Sequence, residues 1–523
     1  MRMASSEIPS TSELPQFPES LWERTTEFPR FPRLQGETNA DVVVVGGGIT
    51  GLTTAYLLMK EGLQVALVEM GSLLHGTTGH TTAKITAQHG LIYDQLIGHF
   101  GEEKARLYYE ANEEAVRFMQ NFAKEHGIDC GMVEEDAYLF AESDDELKDL
   151  KKEWTAYQKL GIPGEWQESL PLPLLVKGAI KLPGQARFHP LQYLHFMVQE
   201  LQKGGAAIYE HTTIAEKVDK ANGRLNLHTE DGASSITCNY AVSASHFPFY
   251  DGGAMYFSRL HAERSYIVAI EPETSFPGGM YINCGNPKRS LRAAEWNGKQ
   301  LVLVGGEGHK TGKALCTIRN YETLELYGAS LLGAKNIPFR WSAQDLITLD
   351  QVPYIGQATN DDPHILVATG FAKWGMSTGT LAALMFRDRI MKRDNRYEEV
   401  FTPQRFKADP GLKNFIVQNA GVAKDLVAGK IGLVHRKVDE LKNDEGAIVK
   451  HLGKRAGAYR DEKGQLYLLD ATCTHMGCEV DWNEGERSWD CPCHGSRFNY
   501  KGEVIEGPAT QPLTPLTQHQ HEG

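Results

Sequence analysis

The first forty residues are mostly polar and are punctuated by Pro9, Pro15, Pro18, Pro29 and Pro32, which predicts an arm over residues 1–40 lying on a surface. At Asp41 the pattern changes to an unbroken apolar run, Val42-Val43-Val44-Val45, the mark of a buried strand. A glycine cluster follows, then helical spacing over 53–60 and a second apolar strand over 64–69, so the chain opens as β-α-β. Residues 101–126 and 143–159 alternate charged and apolar positions at helical spacing and predict two helices with one solvated face. Strand patterns recur at 206–216, 224–230, 236–243, 264–271 and 301–305. An apolar strand over 364–369 then leads into a helix over 377–392. Phe415, Ile416, Val422, Leu426 and Val427 give the segment 412–431 an apolar stripe, read as a linker helix. Lys413, Lys424 and Asp425 argue against a membrane anchor there. From 432 to 523 short strands with glycine turns predict a small all-β unit, leaving 41–411 as the main body.

A length of 523 residues agrees with more than one core. Lys+Arg 54 against Asp+Glu 67 gives a net charge of −13, which disfavours nucleic acid and acidic membranes as partners. No stretch approaches the roughly 20 apolar residues of a membrane span. The arm lacks the basic start and apolar centre of a secretory signal, so a cytoplasmic location is expected. Of eight cysteines, Cys130, Cys238, Cys284 and Cys316 are scattered, whereas Cys473, Cys478, Cys491 and Cys493 are crowded together.

The turn after the first strand reads Gly46-Gly47-Gly48-Ile49-Thr50-Gly51, a G-x-G-x-x-G between strand and helix. In this arrangement Gly46 makes the turn, Gly48 lets backbone approach a pyrophosphate and Gly51 permits close helix packing. Glu69 ends the second strand, where an acid binds a ribose diol. A second glycine run, Leu301–Gly308, completes no such motif and reads as an inner strand.

These residues, with Ser20-Leu21-Trp22, Gly76-Thr77-Thr78-Gly79-His80, 350–356 and 370–377, resemble the D-amino-acid-oxidase-like flavoproteins. Among these the gamma-glutamylputrescine oxidoreductases look most similar. The resemblance implies an α/β FAD-binding Rossmann-like domain with an interleaved α+β substrate domain. FAD would be held by Gly46, Gly48, Ile49, Gly51, Glu69, Thr77, Thr78, His80, Gly370, Lys373, Gly375, Met376 and Ser377. The turn at Gly370–Ser377 opens a helix whose N-terminus would stabilise a reduced, anionic flavin. In some relatives a histidine at the position of His80 is joined covalently to flavin, although Gly79 here replaces an aromatic residue. His261, Arg264, Tyr266 and Arg292 become candidate substrate contacts, arginine suiting a carboxylate. Arg264, Tyr266 and Lys373 are the candidates for a catalytic role.

In the tail, Cys473-Thr474-His475 and Cys491-Pro492-Cys493-His494 offer two thiolates and two imidazoles. Tetrahedral zinc and a Rieske [2Fe–2S] cluster both use such a set, and Cys before His in each of two loops matches the cluster. The tail resembles the Rieske proteins of cytochrome bc complexes, through C-T-H-x-G-C, C-P-C-H-G-S and Gly507-Pro508-Ala509. That resemblance implies Cys473, His475, Cys491 and His494 as iron ligands, a disulfide between Cys478 and Cys493, and a Ser496 hydrogen bond to a cluster sulfur. Phe498 stands where these proteins often carry a tyrosine donor, which predicts an intermediate potential. A disulfide fits poorly with the cytosol, where such bonds are rare. His189 and His195 lack a suitably spaced carboxylate for the iron of a Rieske oxygenase.

Together the resemblances predict an amine dehydrogenase. A small amine or N-methylated amino acid gives hydride to flavin, and electrons pass to the cluster and on to an unidentified acceptor. The alternatives are an oxidase using O2 with a modulatory Rieske unit, and a non-catalytic redox sensor or electron carrier.

Overall fold

The computed structural model describes residues 14–313, 316–405, 419 and 436–516; the predicted linker helix lies outside them apart from Asn419. Four successive valines cannot face water on either side, and Val42–Val45 is fully enclosed at the middle of a six-stranded sheet. Val65–Val68 and Tyr240–Ser243 flank it in parallel. Ala207–Tyr209 lies beyond one, and Ile365–Thr369 then Tyr354–Gln357 lie beyond the other. The helix Ile49–Lys60 joins the first two strands and packs on Gly375–Ile390. Both helices are buried almost all round, as expected for helices sandwiched between layers.

The second layer is a nine-stranded sheet built on the long strands Leu260–Glu271, Lys299–Lys310 and Asn336–Thr348. The chain passes repeatedly between the two sheets, so neither layer is one continuous stretch of sequence. The charged helices form at Glu102–Glu125 and Asp144–Leu160. The Ser143 hydroxyl caps the second by accepting from Glu146 N–H at 3.3 Å.

The arm is more embedded than its polarity predicts. Leu21 and Trp22 are buried, the Ser20 hydroxyl donates to Gly79 O at 2.6 Å, and Trp22 Nε1 donates to Thr81 O at 2.8 Å. Gly36–Asn39 pairs in parallel with Ser234–Cys238 as the edge of a four-stranded sheet. Two apolar residues within a polar, proline-rich stretch suffice to pin it, and too short a run leaves no periodicity to read.

The all-β unit consists of a three-stranded sheet, Glu445–His451, Lys454–Arg460 and Leu466–Asp470, and a four-stranded one starting at Asp481–Asn483. Its core gathers around Trp489, Phe498, Val480 and the crowded cysteines. The unit sits directly against the nine-stranded sheet. A Cβ at Gly495 would lie 2.4 Å from that of Ala262, and one at Gly312 would lie 2.7 Å from the Pro492 backbone. Among the described residues no helix is long and apolar enough to cross a membrane.

Candidate functional site

Gly46 has φ +112°, and a Cβ there would stand 2.3 Å from Ala244 O; a Cβ on Gly51 would stand 1.9 Å from Gly46 O. Both positions therefore require glycine to form the turn at all. Gly48 borders a cavity of about 1320 Å³, along with Ile49, Thr50 and Glu69. The Glu69 carboxylate is fixed by the N–H groups of Gly47 (2.7 Å) and Gly71 (2.8 Å), and burial raises its pKa. The residue after the turn, Ile49, donates its N–H to the Thr78 hydroxyl at 3.1 Å.

Three buried polar atoms in residues of this wall have no hydrogen-bond partner: Thr50 Oγ1, His246 Nε2 and His261 Nδ1. Groups left unpaired inside a protein are costly, so a wall that carries three is shaped for a polar ligand. The glycine turn, the acid and this elongated cavity fit a dinucleotide of the size of FAD.

The remaining residues read from the sequence divide by position. Thr77, Thr78, His80, Lys373, Gly375 and Met376 line the cavity, while Gly51, Gly370 and Ser377 support it from behind. Gly370 has φ +75° and is crowded by Thr348. The Ser377 hydroxyl donates to Thr86 O at 3.0 Å, and that of Thr77 to Gln344 O at 3.0 Å. His80 Nδ1 lies 3.0 Å from Gly76 O. The glycine at 79 has a steric reason, since a Cβ there would meet Leu74 O at 2.4 Å.

Two substrate candidates are corrected. The Arg292 guanidinium donates to the carbonyls of Thr82 (2.6 Å), Ala293 (2.8 Å) and Phe188 (3.2 Å), stacks on Trp22 and does not border the cavity. Arg264 is fully buried and faces the all-β unit: it donates to Ser342 Oγ at 2.6 Å and to Glu506 Oε2 at 2.9 Å. Tyr266 does border the cavity, with its hydroxyl held 2.9 Å from His309 Nε2. His261 also lines it, 3.8 Å from Glu263, and Glu263 in turn pairs with Lys373 at 3.1 Å. Asp345 lies opposite Glu263 across the strand pair, and burial pushes its carboxyl up to about 6.

Lys84 was missed. It lines the cavity, and among the described residues its ammonium makes no hydrogen bond or ion pair; burial, then the nearby Arg292, lowers its pKa to about 7. Its signal was present, a lysine between the enclosed Ala83 and Ile85.

In the all-β unit Cys478 and Cys493 are joined in a disulfide, which removes both from ligation. Cys473 and Cys491 remain thiols. The rings of His475 and His494 stand edge-on, their centres 5.0 Å apart. The disulfide thus leaves one cysteine and one histidine from each loop, the set a two-iron Rieske cluster takes. The sulfur atoms of Cys478, Cys491 and Cys493 lie close together, but the disulfide spoils that trio for metal binding. Ser496 is fully buried; its hydroxyl accepts from Ala509 N–H at 3.0 Å and, beside the Cys473 thiol, helps to lower that thiol's pKa. Phe498, also fully buried, offers no donor.

His475 lines the same cavity as Gly48 and Lys373, together with the covering loop at Gly507, Pro508 and Ala509. Phe247 and Phe257 of the larger unit stand against His475 and His494, at ring separations of 6.3 and 5.9 Å. The histidine side of the candidate cluster site thus faces inward.

Residues 41–389 match the family model "FAD dependent oxidoreductase", and residues 433–517 match "Rieske [2Fe-2S] domain". A putative Rieske 2Fe-2S iron-sulfur protein YhfW of Bacillus subtilis (strain 168) is 46% identical over 499 residues, covering 95% of this chain and 97% of that one. A probable oxidoreductase OrdL of Haemophilus influenzae is 23% identical, covering 78% of this chain and 94% of its own. Among solved structures, glycine oxidase from Geobacillus kaustophilus superposes with a TM-score of 0.60 at 20% identity, covering 71% of this chain and all of that one (100%). L-proline dehydrogenase from P. horikoshii gives 0.59 at 20% identity, covering 71% and 98%.

Two measurements follow from the cysteine geometry. Once iron is stripped from the denatured chain, thiol titration without reductant should count the six cysteines outside the disulfide, and reduction should raise the count to all eight. Eight thiols before reduction would exclude the disulfide. Redox titration should place the cluster below the top of the Rieske range of about −150 to +300 mV, because Phe498 supplies no donor. Ser496→Ala should lower the potential further. A hydrogen bond to a charged group is worth roughly 1.5–3 kcal/mol, or about 60–130 mV for one electron.

Proposed function

The chain belongs to the FAD dependent oxidoreductase family and carries a Rieske [2Fe–2S] domain, and from this we propose that it oxidises a small amine or N-methylated amino acid and passes the electrons to its own cluster. The observation that carries the reading is the common wall: His475 borders the cavity that holds the glycine turn, Glu69 and Lys373. A bound flavin supplies hydride acceptance from the carbon next to nitrogen, and the cluster supplies one-electron transfer. We assign FAD to Gly46, Gly48, Ile49, Glu69, Thr78 and the helix start at Gly375. We assign the cluster to Cys473, His475, Cys491 and His494.

The protein's own groups handle binding and charge. Lys84 is a cation without an anion, so the substrate carboxylate of an amino acid would complete it. Lys373 is already paired with Glu263, and its role is to set the charge of that wall. With its pKa raised to about 6, Asp345 can hold or release a proton near neutrality. Trp374 stacks on the buried His89, whose ring burial keeps neutral, and together they form an apolar, rigid floor. The solved neighbours include glycine oxidase and L-proline dehydrogenase, which supports an amino acid substrate.

Anaerobic mixing with a panel of amines and N-methylated amino acids should bleach the flavin first and the cluster bands afterwards. A cluster that stays oxidised while flavin bleaches would sink the relay. Stoichiometric O2 consumption with hydrogen peroxide would favour the oxidase reading instead. No reduction by any amine would favour the redox sensor.

The pH dependence has a definite sign. The Lys84 ammonium gives up its proton as pH rises through about 7, so KM for a carboxylated substrate should climb above that pH. In Lys84→Met, KM should be raised roughly tenfold or more near pH 6, on the order of one lost charge-assisted bond. The variant's KM should then vary little between pH 6 and 9. A variant whose KM still climbs through pH 7 would remove Lys84 from substrate binding.

A further inference from the structure

Arg264, left over once the substrate candidates are sorted, does not itself line the cavity, although its partner Glu506 does. It is fully buried on the strand Leu260–Glu271, with its side chain turned to the Rieske domain. Besides Ser342 and Glu506, it lies 3.4 Å from Gln344 Oε1 and 3.9 Å from Asp490 Oδ2. Arg497 of the Rieske domain shares the same two carboxylates, at 3.2 Å from Glu506 and 3.1 Å from Asp490, and stands 3.8 Å from Glu486. Burial pushes the Glu506 carboxyl up, but Arg497 and Arg264 together hold it below its ordinary range. Glu506 leads directly into the covering loop Gly507-Pro508-Ala509, which borders the cavity with His475.

Contacts to backbone groups follow the same line. Gln344 Nε2 donates to Gly495 O at 2.8 Å, next to the ligand candidate His494. Arg340 donates to Gly485 O at 2.8 Å, and Thr317 Oγ1 accepts from Gly485 N–H at 2.9 Å. A domain tethered only by a linker needs none of these.

We propose that Arg264 is a positioning residue which locks the Rieske domain, histidine side inward, onto the wall of the flavin cavity, so that the cluster takes electrons from the flavin of its own chain without a swinging motion. The proposal rests on the relay reading above. One electron leaves the reduced flavin and one ferric ion of the cluster becomes ferrous; no other bond is made or broken. A cation inside the protein is tolerable only while its anions stay in place, so Arg264 and Glu506 hold one another at a fixed distance.

The test uses the full chain with both cofactors bound. Anaerobic photoreduction with EDTA as donor loads electrons onto the flavin whatever the substrate, and the cluster's visible bands report their arrival. Hydrogen–deuterium exchange over 260–266 and 492–497 reports docking separately. In the unaltered protein both segments should be protected and the cluster should reduce as fast as the flavin. Arg264→Met should retain flavin and iron, lose protection at both segments and slow cluster reduction at least tenfold. Arg264→Lys should recover part of that rate. If Arg264→Met fails to fold, Ala262→Leu serves as an uncharged wedge against Gly495 and should act in the same direction. Equal exchange in variant and parent, or an unchanged cluster reduction rate in the undocked variant, overturns the lock. Protected segments in the parent with a cluster that never reduces would instead refute the relay reading on which the proposal stands.

Discussion

Strand side chains alternate between two faces, and in this protein one sheet is made to serve both of them. Over residues 261–265 of the strand Leu260–Glu271, His261, Glu263 and Ser265 border the cavity, whereas Ala262 and Arg264 meet the Rieske domain; past the register shift between Arg264 and Tyr266 the division ends, and Tyr266 borders the cavity too. Its partner Asn336–Thr348 repeats the division: Ala343, Asp345 and Ile347 face the cavity, while Arg340 and Gln344 bond to the Rieske domain. The sheet is therefore a partition whose two sides are set by a single register. A slip of one residue would put the guanidinium of Arg264 into the cavity and the Glu263 carboxylate into the interface. The buried pairing of Arg264 with Glu506 penalises that slip, since a charge stripped of its partner inside a protein costs roughly 3–5 kcal/mol. Everything else about the site depends on this alternation holding.

What could be read from the sequence is what depends on short range. Four valines, a glycine turn and an acid eighteen residues beyond it specify a β-α-β unit locally, and each is found in place. The two cysteine–histidine loops are equally local, since their ligands arrive within a few residues of each other. Arg264 was misread because a periodicity of two says which residues share a face and nothing about what covers that face. An arginine on a strand beside a ligand cavity reads as a substrate contact until the second domain is known to lie behind it. Arg292 failed for a related reason: three backbone carbonyls satisfy it, and carbonyls carry no signature in sequence. The embedding of Trp22 likewise depends on the loop at Gly79 and Thr81, some sixty positions away.

Ligand types alone do not decide between metal chemistries. Counting ligand types leaves zinc and a two-iron cluster both open, because each accepts two cysteines and two histidines. The domain match breaks the tie. The disulfide removes the two surplus cysteines, and residues 433–517 match the Rieske [2Fe-2S] domain, which selects the two-iron cluster. The two histidines stand side by side facing Phe247 and Phe257, with the covering loop completing the enclosure.

That enclosure bears on why the small domain is docked at all. A unit of fewer than a hundred residues buries a modest share of its surface, and its core here is split between the cluster region around Trp489 and a small apolar group at Leu441, Val449, Ala456, Ala458 and Leu468. Docking adds buried contact at Pro492 and Gly495, which lie in the second ligand loop, and at Gly485 in the turn before the strand Ser488–Asp490 that leads into it. The stability gained by docking is thus delivered to the loop that must keep its geometry through each change of redox state. A freely moving domain would have to stabilise that loop alone and would expose the histidine side to water at every excursion. Fixing the loop against the sheet ties the geometry of the iron site to the register of the strands that shape the flavin cavity.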